Sequence, residues 1–267
     1  MLELNKIYCG NHLKILKDVD NNSIDLTLTS PPYDNLRTYN GYEFQFEKLA
    51  NELFRVTKKG GVVVWVVGDA TLNGSETGTS FKQALYFREI GFNLHDTMIY
   101  RKNNFIPLNH KRYEQVFEFM FVFAKGKPEK FNPITVHSLT AGGKKDWGNL
   151  GITKNLEGSN KLKRKNEITT TNEYRIKDNI WDYNVGQGQS SKDKVAFEHT
   201  AIFPEKLARD HIISWSNKGD LILDPMNGSG TTTKVAELLE RDFIGIDSSQ
   251  DYCDIAEKRL QQETIFK

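Results

Sequence analysis

Residues 220–233 read DLILDPMNGSGTTT: a short apolar run ending in an acid, a proline and a Gly-Ser-Gly turn, with three threonines opening the next amphipathic stretch. The order strand, glycine-rich turn, helix puts the turn at one end of a parallel sheet. There glycines let the backbone approach a ligand, and the first amides of the helix favour polar groups. Two phosphate-binding patterns are excluded. A dinucleotide fingerprint requires a third glycine where Thr233 stands, and a P-loop requires Gly-Lys-Ser/Thr, which is absent. The turn is headed instead by Asp224, which repels a pyrophosphate but pairs with an ammonium. About twenty residues on, Asp247 ends the run 243–247 (FIGID), where a carboxylate accepts the hydroxyls of a ribose. An acid for an amino group plus an acid for a ribose suits S-adenosylmethionine better than NAD. An ordinary strand-to-helix turn with an exposed acid is the plainer alternative for this loop taken alone.

Apolar runs and amphipathic stretches alternate outward from this loop, which is the pattern of an α/β sheet with helices on both faces. Residues 24–28 (IDLTL) form a strand that must stop at Ser30-Pro31-Pro32-Tyr33, because consecutive prolines remove ladder donors. A helix over 47–56 leads to 62–67 (VVVWVV), a β-branched run expected to be buried on both faces, central to a parallel sheet. A helix follows over 81–90. Residues 96–101 and 115–124 are expected to pair as strands at one sheet edge. Beyond the middle of the chain come helices over 204–215, 231–239 and 251–261, with strands at 220–224 and 243–247.

Charge divides the chain further. The 36 Lys+Arg and 35 Asp+Glu give a formal net of +1, which taken whole argues against a nucleic-acid partner. Residues 126–194, however, hold 13 Lys+Arg against 8 Asp+Glu, a net of +5, leaving 23 against 27, a net of −4, elsewhere. A basic segment rich in Gly, Asn, Thr and Lys inside an acidic scaffold reads as an inserted functional element. The expected division is therefore 1–125, a 126–194 insert, and 195–267. No run approaches the roughly 18 apolar residues of a membrane span, and the first residues lack the layout of a signal peptide, so no membrane partner and a cytoplasmic location are expected. Cys9 and Cys253 form no CxxC pair and the six histidines show no ligand spacing, so no metal is expected.

Thr29-Ser30-Pro31-Pro32-Tyr33 is the second loop with chemistry. The prolines lack N–H groups, so the turn presents carbonyl oxygens and the Ser30 hydroxyl beside an aromatic ring, a setting suited to a planar amine such as that of a nucleobase. By itself Ser30-Pro31-Pro32-Tyr33 also fits a plain proline turn.

Together and in this order, the two loops resemble the β-group of DNA amino-methyltransferases, which modify N6 of adenine or N4 of cytosine. The resemblance covers nearly the whole chain. It implies a circularly permuted, Rossmann-like class I S-adenosylmethionine-dependent methyltransferase with an inserted target-recognition region and a mostly parallel sheet. It places Asp224, Pro225, Asn227, Gly228, Ser229, Gly230 and Thr231 at the methionine end of S-adenosylmethionine and Asp247 on the ribose. The stretch 198–204 looks like a further cofactor motif, making His199, Thr200, Phe203 and Pro204 candidates. Phe203 fits core packing as well, and His199 a cap or surface position. The permuted order makes residues 6–9 the sheet's next strand after the final helix, with Asn11 where relatives often carry an acid for the adenine amino group.

The implied chemistry is direct transfer to an exocyclic amine of duplex DNA with the base flipped out, since no cysteine nucleophile lies near the Pro-Pro-Tyr turn. Ser30, Pro31, Pro32 and Tyr33 are the catalytic candidates. Family members with Ser at the first position are more often cytosine-N4 enzymes, so N4-cytosine is expected ahead of N6-adenine. An RNA or small-molecule amine methyltransferase is a more distant reading. Phosphate contacts are expected from Lys161, Lys163, Arg164 and Lys165, and from Arg101, Lys102 and Arg37 beside the catalytic loop, although any single lysine also fits a solvated loop. A restriction-modification role, with a cognate restriction endonuclease as a partner, goes with the family.

Overall fold

The computed structural model describes residues 2–32, 44–105, 107, 111–145, 151–154, 160–163, 169–198 and 202–264. The chain divides into two compact units, Met1–Asn132 with Asn179–Lys267, and Pro133–Asp178. The first unit is built on an eight-stranded sheet: β1 (Lys6–Cys9), β2 (Ile24–Thr29), β3 (Thr57–Val67), β4 (Asn93–Lys102), β5 (Phe117–Ala124), β6 (Ile180–Tyr183), β7 (Leu221–Asp224) and β8 (Asp242–Asp247). Their spatial order is β1-β8-β7-β2-β3-β5-β4-β6. All neighbours are parallel except β5, which runs antiparallel to both β3 and β4.

The sheet's faces follow from its sequence. Val63, Trp65 and Val67 of β3 join one buried cluster with Leu49 and Leu53 of α2 (Phe46–Val56) and Phe87 of α3 (Thr79–Glu89). The alternate residues Val62, Val64 and Val66 are equally buried. A strand shows successive side chains to opposite faces, so burial of both sets requires a helical layer on each side. The second layer includes α4 (Glu205–Trp215), whose His211 Nε2 lies 3.2 Å from Sδ of Met120, the register partner of Val66. Trp65 Nε1 donates to Gln83 Oε1 at 2.9 Å, which satisfies the one polar atom of the largest buried side chain.

The start of the chain adds a strand to the sheet, as expected, and that strand is the edge: β1 pairs with β8 from Lys6↔Ile244 to Cys9↔Asp247. Three expectations are corrected. β3 is central in position but marks the change from parallel to antiparallel pairing. The β4–β5 pair is not the edge, because β6 adds to β4 in parallel with Trp181 and Tyr183 buried. The boundaries expected at 126 and 194 move to 133 and 178, because 126–132 and 179–194 pack with the sheet.

The second unit is a nested antiparallel ribbon. Residues 135–137 pair with 174–176, 144–145 with 169–170, and 151–154 with 160–163. It holds 9 Lys+Arg against 5 Asp+Glu, so it keeps most of the basic excess of the wider segment. Among the described residues no helix is long and apolar enough to cross a membrane, and no group of three or more His, Cys, Asp or Glu is placed to hold a metal ion.

Candidate active site

β7 and β2 are adjacent and parallel, in register at Ile222↔Leu26 and Leu223↔Thr27, so the two loops predicted to carry chemistry leave the sheet side by side. From this pair the order runs β8, β1 on one flank and β3 on the other. That reversal is the switch point at which α/β sheets bind ligands, outside the carboxyl ends of the strands. Side chains tie the loops together. Thr29 Oγ1, on the last residue of β2, donates to Asp224 Oδ1 at 2.7 Å, and Thr232 Oγ1 donates to the Leu28 carbonyl at 3.2 Å. Beyond Thr29, Ser30 and Pro32 are half-buried and Pro31 is buried.

The glycine turn leads into α5 (Thr231–Leu238), and its shape is fixed from behind. The Asn227 N–H donates to the Ile246 carbonyl, Gly228 N–H to Asp247 Oδ2 and Gly230 N–H to the Asn227 carbonyl, each at 2.8 Å. Gly230, at φ +78°, occupies the left-handed region, and a Cβ there would stand 2.8 Å from Ala256 Cβ of α6 (Gln250–Thr264). Asn227 is turned inward, its Oδ1 accepting from Thr233 Oγ1 at 3.0 Å and its buried Nδ2 without a partner among the described residues.

The two acids differ from exposed carboxylates. Asp224 is 2% exposed, and burial pushes its carboxyl up to about 6 against the pull of hydrogen bonds from the Thr29 hydroxyl and the Met226 N–H. Asp247 is also raised by burial, opposed by the N–H groups of Ser249 and Gly228. The Gly10 N–H donates to the Asp247 carbonyl at 2.8 Å, which brings Asn11 beside that acid. Asn11 Oδ1 caps the short helix α1 (His12–Ile15) by accepting from the Lys14 N–H at 3.3 Å, leaving its amide donors and a second lone pair.

Phe203 is half-buried, and Pro204 is buried at the head of α4. Tyr33, Arg37, Arg164, Lys165, His199 and Thr200 lie outside the described residues. Lys161 and Lys163 stand two positions apart on one strand of the second unit's ribbon. Arg101 is ion-paired with Asp182 at 2.5 Å and Lys102 with Glu118 at 2.5 Å, so phosphates would have to compete with carboxylates already in place. Sequence reasoning gave Thr29, at the head of the proline turn, no role, because a second threonine and an aspartate in the same strand leave its hydroxyl without a distinguishing signal. It missed Arg259, which reaches the glycine turn from α6 but looks like any surface arginine in a helical pattern.

A family model described as DNA methylase matches residues 24–258. The chain belongs to this family. Among its relatives is the orphan methyltransferase M.BamHII of Bacillus amyloliquefaciens, 53% identical over 249 residues and matched over 91% of both chains. Among solved structures, the PvuII DNA methyltransferase (cytosine-N4-specific) superposes with a TM-score of 0.70 at 21% identity, covering 95% of this chain and 85% of the other. The M1.HpyAVI–SAM complex gives 0.62 at 23% identity, covering 96% and 98%. The methylase fold is thus the circularly permuted class I α/β fold expected from the two loops. The family draws its methyl group from S-adenosylmethionine. The residues present fit that cofactor: a glycine turn with no third glycine and no P-loop lysine, an acid at each of two strand ends, and a buried amide donor, Asn227 Nδ2, without a partner among the described residues.

Proposed function

We propose that this methylase modifies the exocyclic N4 of cytosine in duplex DNA, as the modifying half of a restriction-modification pair with a cognate endonuclease as partner. The observation that carries the proposal is the Thr29–Asp224 hydrogen bond, which joins the base-binding turn to the cofactor turn at the switch point of the sheet. Two reactants held by two loops so joined meet in fixed geometry, and such positioning supplies several kcal/mol of a transfer barrier.

Asp224 faces the ammonium of the methionine moiety, Asp247 takes the ribose hydroxyls, and Asn11, Phe203 and Pro204 close the adenine side. Bound there, S-adenosylmethionine supplies an electrophilic methyl group. The chain's own task is to make a poor nucleophile act. Ser30 Oγ and the Pro31 carbonyl accept the two amine hydrogens and favour a pyramidal nitrogen whose lone pair is aimed at the methyl donor. Pro32 holds the turn, and Tyr33 stacks on the base, which offsets part of the few kcal/mol needed to flip it from the duplex. The neutral Ser30 hydroxyl supports cytosine over adenine, in keeping with the serine found more often in cytosine-N4 members of the family. Lys161, Lys163, Arg164 and Lys165, a basic cluster in the sequence of the second unit, bind phosphates, which gives affinity and register without reading sequence. Arg37 stands beside the catalytic turn in sequence and adds to that surface, whereas Arg101 and Lys102, held by acids, contribute less.

The test is chemical. Duplex DNA treated with the purified protein and S-adenosylmethionine is digested and its nucleosides weighed: N4-methylcytosine is expected. N6-methyladenine moves the reading to the adenine branch of the same family, and methylation of RNA in preference to DNA rejects it.

A further inference from the structure

Arg259 lies wholly inside the protein, where a guanidinium is tolerated only if its donors are matched and its charge countered. Its Nη1 donates to the Ser229 carbonyl at 2.5 Å and to Ser229 Oγ at 3.1 Å; Nη2 donates to Glu205 Oε1 at 2.6 Å, and Nε to Asp193 Oδ2 at 2.9 Å. Lys234 lies 3.0 Å from Glu205 Oε1 and 3.8 Å from Asp193 Oδ2, so two cations face two anions. Burial would raise the Glu205 carboxyl, but Ser191, Lys234 and Arg259 hold it below its ordinary value, so it remains an anion.

The bond to the Ser229 carbonyl is more than helix packing. The peptide between Ser229 and Gly230 is pinned at its other end by the Gly230 N–H to the Asn227 carbonyl, and Gly230, like Gly228 two residues before it, has left-handed backbone. A peptide next to glycine rotates readily, so the guanidinium fixes which atoms of the turn face outward. Glu205, the other strong partner, directly follows Phe203 and Pro204. One side chain of the last helix therefore holds both cofactor segments. We infer that Arg259 is a positioning residue for the cofactor: it sets the glycine turn against the Phe203-Pro204 segment, so its loss weakens cofactor binding and leaves the transfer step intact. The inference rests on the reading of those two segments as the cofactor site.

The test compares Arg259→Lys with Ile255→Val, a change at a buried apolar position of the same helix, in the full chain. Calorimetric titration with S-adenosylmethionine is run without DNA, beside thermal melting and steady-state kinetics. A charge-assisted hydrogen bond lost from the turn should raise the cofactor Kd and KM about tenfold, with kcat at saturating cofactor within about twofold. Ile255→Val should lower the melting temperature yet leave Kd unchanged. Equal Kd for Arg259→Lys and the wild type, or equal weakening by the two variants, overturns the inference. If Arg259→Lys does not fold, Glu205→Gln, which keeps an oxygen in place, decides: a raised Kd with unchanged kcat supports it and an unchanged Kd overturns it. A wild type that binds the cofactor but methylates no DNA rejects the proposed function while leaving the Arg259 comparison readable. A wild type that binds no cofactor overturns both.

Discussion

At the scale of single residues, the tasks proposed for Asp224 and Ser30 are separable, and different measurements report them. Asp224 is a buried acid raised to about 6, so it is half-protonated at a pH where an exposed aspartate is fully ionised. An ammonium needs the anion, so cofactor affinity should fall as pH drops through about 6, and Asp224→Asn should bind weakly with that pH dependence gone. Titration calorimetry between pH 5 and 8 checks both. The stability of the cofactor-free protein carries the opposite sign: with its folded pKa above the unfolded value, this group contributes stability below about 4 and loses it as pH rises through about 6. Ser30 stands one residue beyond the Thr29–Asp224 bond. Replacing Ser30 by Ala should cost on the order of 10²-fold in kcat, the loss typical of one preorganised hydrogen-bond partner, with cofactor affinity and melting temperature unchanged. Both loops were legible in the sequence because their chemistry is local: a carboxylate before glycines, a hydroxyl before prolines. Neither the burial of Asp224 nor the hydrogen bond to Thr29, 195 residues away, is a local property.

At the scale of elements, the glycine turn is shaped by the helix that packs on it. Ala256 of α6 lies where a side chain at Gly230 would have to go, and the backbone there is already left-handed. Gly230→Ala therefore meets both a conformational and a steric penalty and should destabilise the protein by about 1–3 kcal/mol, seen as a lowered melting temperature. The contrast is Gly74→Ala in the exposed turn between 71–72 and 75–76, where a Cβ meets nothing within 4 Å and only the backbone strain remains. The strands and helices of the first unit follow apolar periodicity closely enough to be read in advance, within one or two residues for β2, α2 and β7. β6 was missed because its four residues Ile180–Tyr183 sit in a segment of loop-like composition. Its burial comes from β4 and from Tyr183 Oη donating to Asp210 Oδ2 at 2.9 Å, partners far off in the chain.

For the whole molecule, a net charge of +1 hides an acidic first unit and a basic second unit. Each phosphate contact releases counterions, so changing Lys161, Lys163, Arg164 and Lys165 to Gln should flatten the slope of log Kd against log salt by about 3–4, with cofactor affinity intact. Filter or fluorescence binding over a salt series measures this, and an unchanged slope would assign the phosphate contacts elsewhere. The sequence by itself determined the fold class, the two loops, the permuted order and the charge division, because hydrophobic period, turn chemistry and charge are properties of neighbouring residues. The tertiary structure decided which edge strand closes the sheet, where the basic unit begins, that Arg101 and Lys102 are held by acids, and that Arg259 braces the cofactor turn. Each of these depends on groups distant in sequence but adjacent in space, whose pairing is fixed only when burial removes water as the competing partner.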